Sequence, residues 1–447
     1  MAQREINASA ANTRPSRRDK STQRERLIAG MITAACRDGY SGVTVSTVIA
    51  HAGVSRPTFY DYFADKDDCF LATHRDISER LMKHIQAAVD QSLPEQAPQA
   101  AIRRLLQRAE EEPARAQFIA NEAMAGGPRA LDARDHTIGE IERIIETARV
   151  EAAPTAPTPD LPTRSIIGAA HWLLSQRLRR GEHNLSGLAD ELEGWIESYN
   201  QPAGSRRWWA LTPEPPPEPS PHVSEIPTRP PPPIPSGRTR LSSSEIAQNQ
   251  RWRILFATAE TAALKGYTAT TVTDIAALAR VDKRVFYTHF RDKQQAFLAA
   301  HELAFQQTMA VAASGFFSAE KWPERVWQGI HAASQFIATH PIAYLVHVES
   351  HAVGAPAIQR VDDSHTAFAI FLHDGNQHAD EPRSRTAMEA IIAATFEIGY
   401  QQFRNRTEAR QLPRFAYHAT YLCLAPFLGP RAANAFIDEK MKDRESG

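Results

Sequence analysis

Few residues in this chain are spaced to carry out chemistry of their own. The clearest pair is His347 and His351, four apart on an expected helix, a spacing that lets two imidazoles share a metal ion. The order His347-Val-Glu-Ser-His351 is not that of a metalloprotease, and two ligands make a weak site, so no metal is expected. Cys36, Cys69 and Cys423 lie far apart without metal-ligand spacing, and their odd number argues against a disulfide framework. They are expected to be reduced, buried thiols. No nucleophile elbow, P-loop, dinucleotide fingerprint or zinc motif occurs, so neither an enzyme nor a cofactor is expected.

The elements that organise the chain come from a duplication. At 447 residues the chain should hold two or more domains. Residues 24–74 align with 251–301 at a constant offset of 227, with no gap and 19 identities in 51 positions. Unrelated sequences would match at about one position in sixteen. The identities include Gly39/Gly266, Thr44/Thr271, Phe59/Phe286, Tyr60/Tyr287, Phe63/Phe290 and Lys66/Lys293. At an offset of 228, Pro113 meets Pro341, Gly126 meets Gly354, Pro128 meets Pro356 and Asp135 meets Asp363, so a whole two-part unit was duplicated. Between the copies, PEPPPEPSP and PTRPPPPIP can form neither helix nor sheet, which predicts a semi-rigid polyproline tether.

Within each copy, apolar residues at Leu27, Ile28, Met31, Ala34 and Ala35, and at Ile254, Leu255, Thr258 and Ala262, follow the period of one helix face. Gly39 and Gly266 end these helices. Thr44 then caps a short helix, Gly53 takes a left-handed turn, and Ser55 caps a second short helix with Pro57 in its first turn. Two short helices joined by Gly-Val-Ser describe a helix-turn-helix.

Both segments resemble the DNA-binding domain of the tetracycline-repressor (TetR) family. The pattern that carries the resemblance is Thr-Val…Ile-Ala…Ala-Gly-Val-Ser…Thr-Phe-Tyr…Tyr-Phe…Asp-Lys. It is strong over 24–74 and 251–301 and weak elsewhere. The resemblance implies that Arg56, Pro57 and Thr58 start the recognition helix, where base edges are read. It implies that Tyr60, Tyr62 and Lys66 reach DNA, mostly phosphates, and that Thr44 starts a helix whose amides suit a phosphate. In the second copy the set is Lys283, Arg284 and Val285, then Tyr287, His289 and Lys293, with Thr271.

The second copy departs from the pattern: Arg280 replaces the turn glycine and Asp282 the capping serine. Arginine in a left-handed turn costs about 1 kcal/mol. Net charge over the whole chain is −1, yet residues 14–74 carry nine basic against seven acidic groups, and 238–301 carry ten against five. The less orthodox copy is the more basic one, which argues that it still binds DNA. Basic arms (Arg14, Arg17, Arg18 and Lys20; Arg238 and Arg240) precede the two copies.

The expected fold is all-α, because no segment has the pattern of a strand. The expected domains are a basic disordered arm (1–20), helix-turn-helix domains (21–65 and 244–292), helical regulatory domains (66–200 and 293–442) and a Pro-rich linker (201–243). In the family the last two long helices form a four-helix dimer interface; the candidates here are 163–180 with 185–199, and 384–404 with 413–428. The two copies are expected to pair within one chain as a pseudo-dimer, with homodimers of the chain as the other arrangement. The partner would be a double-stranded operator with unlike half-sites.

The resemblance also implies a small hydrophobic or aromatic effector. The second copy offers Trp327, His331, Phe336, Tyr344, His347, His351, Phe368, Phe371 and His373; the first offers Phe118, Asn121, Met124, His171 and Trp172. No apolar run reaches the length of a membrane span and no signal-peptide core opens the chain, so a cytoplasmic repressor is expected. The competing readings are a constitutive DNA-binding or architectural protein without effector, and an enzyme with appended DNA-binding domains.

Overall fold

The computed structural model describes residues 17–122, 126, 128–152, 163–199, 227, 229–234, 240–340, 342, 353–404 and 415–445. Among them the only regular elements are helices. Unit one opens with α1 (Arg17–Gly42), α2 (Val45–Ala52) and α3 (Arg56–Tyr60). It continues with α4 (Lys66–Asp90), α5 (Ala97–Glu111), α6 (Pro113–Gln117), α7 (Pro128–Ala152), α8 (Thr163–Arg179) and α9 (Ser186–Glu197). Unit two repeats the opening with α10 (Ser243–Lys265), α11 (Val272–Ala279) and α12 (Lys283–His289). There follow α13 (Lys293–Phe316), α14 (Trp322–Thr339), α15 (Ala355–Ala369), α16 (Arg385–Arg404), α17 (Phe415–Leu428) and α18 (Pro430–Glu445). The first helix begins at Arg17, inside the stretch expected to be a disordered arm. Most of the linker lies outside the described residues; in the part described, Asn249 Nδ2 donates to the Pro232 carbonyl at 3.1 Å.

Local chemistry sets the short helices. Thr44 is extended (φ −128°) and its hydroxyl accepts from the Thr47 amide at 3.1 Å; Thr271 does the same for Asp274 at 3.2 Å. Those bonds satisfy amides that have no partner inside the helix. Helix α1 breaks at Gly39 (φ 68°), a left-handed geometry that costs glycine little. Each helix-turn-helix then closes on its own core. In unit one Leu27, Met31, Val48, Phe59 and Cys69 are fully buried, and in unit two Ile254, Ile275, Phe286 and Ala296 are.

The regulatory halves behave differently, because their apolar faces merge into one cluster that runs from Leu81 and Trp195 in unit one to Trp327, Tyr421 and Met441 in unit two. Helix α8 lies against α16, α9 flanks α16, and α17 packs on α14 and α16. Tyr199 at the end of unit one donates its hydroxyl to the Leu422 carbonyl of α17 at 2.8 Å. Helix α18, absent from the sequence-based expectation, covers α17 and is tied to α14 by Lys440–Glu324 at 2.7 Å. Helices α13 and α14 cross closely because Gly315 faces the Gln328 carbonyl, where a Cβ would collide with backbone. That crossing frames the cavity described below.

Candidate functional site

Two features of the molecule could meet other molecules: an exposed face on each helix-turn-helix, and a cavity at the junction of the regulatory halves. On the first face, Arg56, Pro57 and Tyr60 of α3 point to solvent, with Tyr60 49% exposed although its neighbour Phe59 is fully buried. The Arg56 guanidinium sits 5.8 Å from the Tyr60 ring centre and 3.4 Å from its hydroxyl. Thr58 is half-buried, and its amide donates to the Ser55 cap at 3.3 Å. In unit two Lys283 and Arg284 are exposed, Val285 is half-buried, and Tyr287 is 57% exposed beside the buried Phe286. Both threonine caps, Thr44 and Thr271, are exposed at the start of α2 and α11. Within the two helix-turn-helix segments the exposed large aromatics are therefore the same tyrosine in both copies.

Two pairs of residues expected on this face are held by the protein itself. The Lys66 ammonium reaches the Val43 carbonyl at 3.3 Å and lies 4.5 Å above the Tyr40 ring. Lys293 donates to the Tyr267, Thr268 and Thr270 carbonyls at 2.9, 3.1 and 2.8 Å, above the Tyr267 ring. Three carbonyls match the three donors of an ammonium. Burial, with Lys265 nearby, lowers the Lys293 pKa. Tyr62 and its counterpart His289 each meet a glutamine of the first helix, Gln23 at 3.1 Å and Gln250 at 3.2 Å.

The turns are built alike from unlike residues. Gly53 (φ 61°) and Arg280 (φ 51°) both adopt the left-handed conformation. Arg26 donates to the Gly53 carbonyl, and its counterpart Arg253 donates to the Arg280 carbonyl. Asp282 replaces Ser55 as cap and accepts from the Arg284 amide at 2.7 Å. Arginine at 280 therefore keeps the turn geometry and adds an exposed cation.

The cavity, of ≈ 210 Å³, is lined mainly by α13, α14, α15 and α16 of unit two. Unit one closes it with Ala120, Arg134, Gly168, His171, Trp172 and Ser175. The His365 ring lies between Trp172 (4.3 Å between ring centres) and Phe396 (4.2 Å). At another part of the wall Arg134 and Glu397, 5% and 7% exposed, form an ion pair across the units at 2.8 Å. Burial works against the Arg134 charge, but Glu397, Tyr400 and Asp135 outweigh it and raise its pKa. A second cross-unit pair, Arg179–Asp362, is bidentate at 2.8 Å.

Of the residues expected at an effector site, His171, Trp172, Phe368 and Phe371 line this cavity. Phe118 is instead buried against Phe70, 4.7 Å between ring centres, and Asn121 accepts from Arg179 at 2.8 Å. Trp327 and His331 stack on each other at 5.2 Å, and Phe336 stacks on His340 at 4.1 Å, away from the cavity wall. Met124, Tyr344, His347 and His351 lie outside the described residues. Burial pushes the thiol of Cys36 up to about 11 and those of Cys69 and Cys423 up to about 12, which favours the protonated form over the reactive thiolate.

The sequence reading missed Arg134, Phe305, Thr308, His365 and Glu397 on the cavity wall. A signal was present, because the repeat continues along the same helix beyond residue 74. At an offset of 227, Ile77, Leu81 and Ile85 of α4 correspond to Ala304, Thr308 and Ala312 of α13. Large aliphatic residues in one copy and small ones in the other mark where space opens.

Comparison with known proteins agrees with the repeated element. The model of the bacterial regulatory proteins, tetR family, matches residues 35–73 and again 254–300. No curated protein matches the chain. Among solved structures, the fatty acid degradation regulator FadR from Bacillus halodurans is 15% identical, covering 38% of this chain and 96% of its own, with a TM-score of 0.35. FadR from Bacillus subtilis in complex with stearoyl-CoA is 14% identical, with the same coverage and score. A TetR family transcription regulator from Marinobacter aquaeolei VT8 is 22% identical, covering 39% and 97%, with a TM-score of 0.32. The same helix-turn-helix is thus built twice in this chain, and each copy is similar to the DNA-binding segment of the tetR family of bacterial regulatory proteins.

Proposed function

We propose that the chain is a ligand-responsive repressor whose two units pair within one chain and read the unlike half-sites of an asymmetric operator. The observation that carries this reading is the shared core of the regulatory halves, with the buried Arg134–Glu397 pair inside it. The charge pattern favours unlike pairing. Arg134 and Asp362 occupy matching positions in α7 and α15, while Trp172 and Glu397 do so in α8 and α16, where Ile166, Ile167 and Ala169 meet Ile391, Ile392 and Ala394 at an offset of 225. Self-pairing of unit two would set Asp362 against a second Glu397, and self-pairing of unit one would set Arg134 against Trp172. Both outcomes take from a buried charge its counterion in the opposite unit, which is costly.

On the DNA side, Arg56, Pro57 and Thr58 would read one half-site and Lys283, Arg284 and Val285 the other. Tyr60 and Tyr287 would bond phosphates, as would the amides at the starts of α2 and α11 behind Thr44 and Thr271. Lys66 and Lys293 act mainly as struts between the first and fourth helices of each unit, and Tyr62 and His289 steady the recognition helices while lying at the edge of the same face. The effector would occupy the cavity between the units and shift the spacing of the recognition helices.

Selection of bound sequences from a random DNA pool should return two unlike half-sites, and light scattering should show one chain per operator. Two identical half-sites, or a compulsory dimer in which each unit pairs only with its own counterpart, would refute the pseudo-dimer. Tyr60→Phe and Tyr287→Phe should each weaken operator binding by roughly 0.5–1.5 kcal/mol, the worth of one hydrogen bond. An unchanged affinity for Tyr287→Phe would leave unit one as the sole reader.

A further inference from the structure

We infer that the chain binds one neutral, largely aromatic molecule, of about two fused rings, in the cavity of unit two, with Trp172 of unit one supplying a hydrogen bond to it. This rests on the effector reading above and adds the stoichiometry, the ligand class and the contribution of the opposite unit.

The stoichiometry follows from comparing the two copies of the same space. The matching place in unit one is a cleft of ≈ 40 Å³ lined by Ile77, Leu81, Leu105, Arg108, Glu112 and Leu174 among others. At the offset of 227 Ile77 and Leu81 correspond to Ala304 and Thr308, and at the offset of 225 between α8 and α16 Leu174 corresponds to Gly399, all of them on the wall of the larger cavity. All three are smaller in unit two. Unit one has therefore filled with side chains the space that unit two leaves open.

The ligand class follows from the wall. Phe305, Phe316, Phe368, Phe371 and Phe396 make it aromatic. The hydroxyls of Thr308, Ser334, Ser364 and Thr395 already donate to carbonyls one turn back, at 2.8, 2.7, 2.7 and 2.9 Å. They can still accept. The charges of Arg134 and Glu397 answer each other, so neither offers an uncompensated partner to an ionic ligand. Trp172 is 9% exposed, and its indole N–H is buried with no hydrogen-bond partner among the described residues. A buried donor left unpaired favours a ligand that brings an acceptor. For size, an apolar cavity of about 150 Å³ holds benzene, so ≈ 210 Å³ suits a bicyclic molecule.

Such a ligand touches α13 of unit two and α8 of unit one together. One molecule thus reports on the contact between units, and no second molecule acts on unit one.

The probes are 2-naphthol and naphthalene, titrated into the full chain without DNA by calorimetry and native mass spectrometry. We expect one saturable 2-naphthol per chain. Ala304→Ile with Thr308→Leu, the residues unit one carries at those places, should weaken binding at least tenfold; Gly399→Leu should do so as well and serves if the double variant unfolds. Trp172→Phe should weaken 2-naphthol by about three- to tenfold, as for one lost hydrogen bond, and leave naphthalene within about twofold. Two molecules per chain, no saturable binding up to the solubility limit, or full binding by folded cavity-filled variants would overturn the inference. Operator binding is measured separately: 1:1 binding without any change in operator affinity defeats the effector reading alone, while operator binding with no naphthol site defeats only this inference.

Discussion

The two units share a backbone plan and differ in what fills it. Along α4, Ile77, Leu81 and Ile85 are buried and pack the centre of unit one; along α13, Ala304, Thr308 and Ala312 stand at the same places and leave a cavity. At the interface the contrast is chemical. Unit one presents Trp172 to His365, whereas the matching position in unit two presents Glu397 to Arg134. One side of the pseudo-symmetric contact joins an aromatic pair to the more open Arg179–Asp362 pair, and the other holds the buried Arg134–Glu397 pair. The helix-turn-helix segments show a milder version of this divergence, with Gly53 and Arg280 sharing one backbone conformation. Duplication thus let one copy keep a solid core while the other acquired space, and a covalent link makes each dependent on the other.

The largest test of that dependence is Glu397→Ala. It takes from Arg134, which is 5% exposed, its cross-unit counterion and leaves only Asp135 at 2.9 Å, and should cost about 3 kcal/mol by urea unfolding. Asp362→Asn breaks the more open pair with Arg179 and should cost about 1 kcal/mol. Equal costs would show that the two halves of the interface are not specialised.

A pH test addresses the packed core of unit one. His74 is 2% exposed, and burial, with a contribution from His136, pushes its pKa down to about 4. Its folded pKa lies below the unfolded value of about 6.5, so the unfolded state binds the proton first. The stability is complete above pH 6.5 and falls as pH drops from there towards 4, by about 3 kcal/mol. His74→Gln should flatten that part of the profile, and an unchanged slope would remove His74 from the account.

The smallest effect concerns the turns. Arg280→Gly relieves a left-handed arginine and should stabilise the chain by about 1 kcal/mol while weakening operator binding through the lost cation. Gly53→Ala should destabilise by a similar amount, since its Cβ would also press on the Arg26 guanidinium. Stabilisation by Arg280→Gly without any loss of affinity would make the cation incidental.

Much of the fold was legible in the chain because the signals are local. The caps at Thr44 and Ser55, the glycine at 53 and the buried faces around Phe59 and Phe286 act within a few residues, and the gapless repeat doubled every one of them. The exposed tyrosines followed from the same pattern. Lys66 and Lys293 were less legible: both stand beside the expected DNA face, yet their ammoniums turn to carbonyls 23 to 26 residues earlier in the chain.

What the sequence determined alone was therefore the duplication, the all-α class and the two helix-turn-helix elements, because helix period and capping are set by neighbours in the chain. The cavity and the ion pairs were decided by tertiary structure. Arg134 and Glu397 are 263 residues apart, and neither residue type reveals a partner until α7 and α16 are brought together. The cavity is likewise made by what two units fail to fill, a property of packing that only the assembled helices possess.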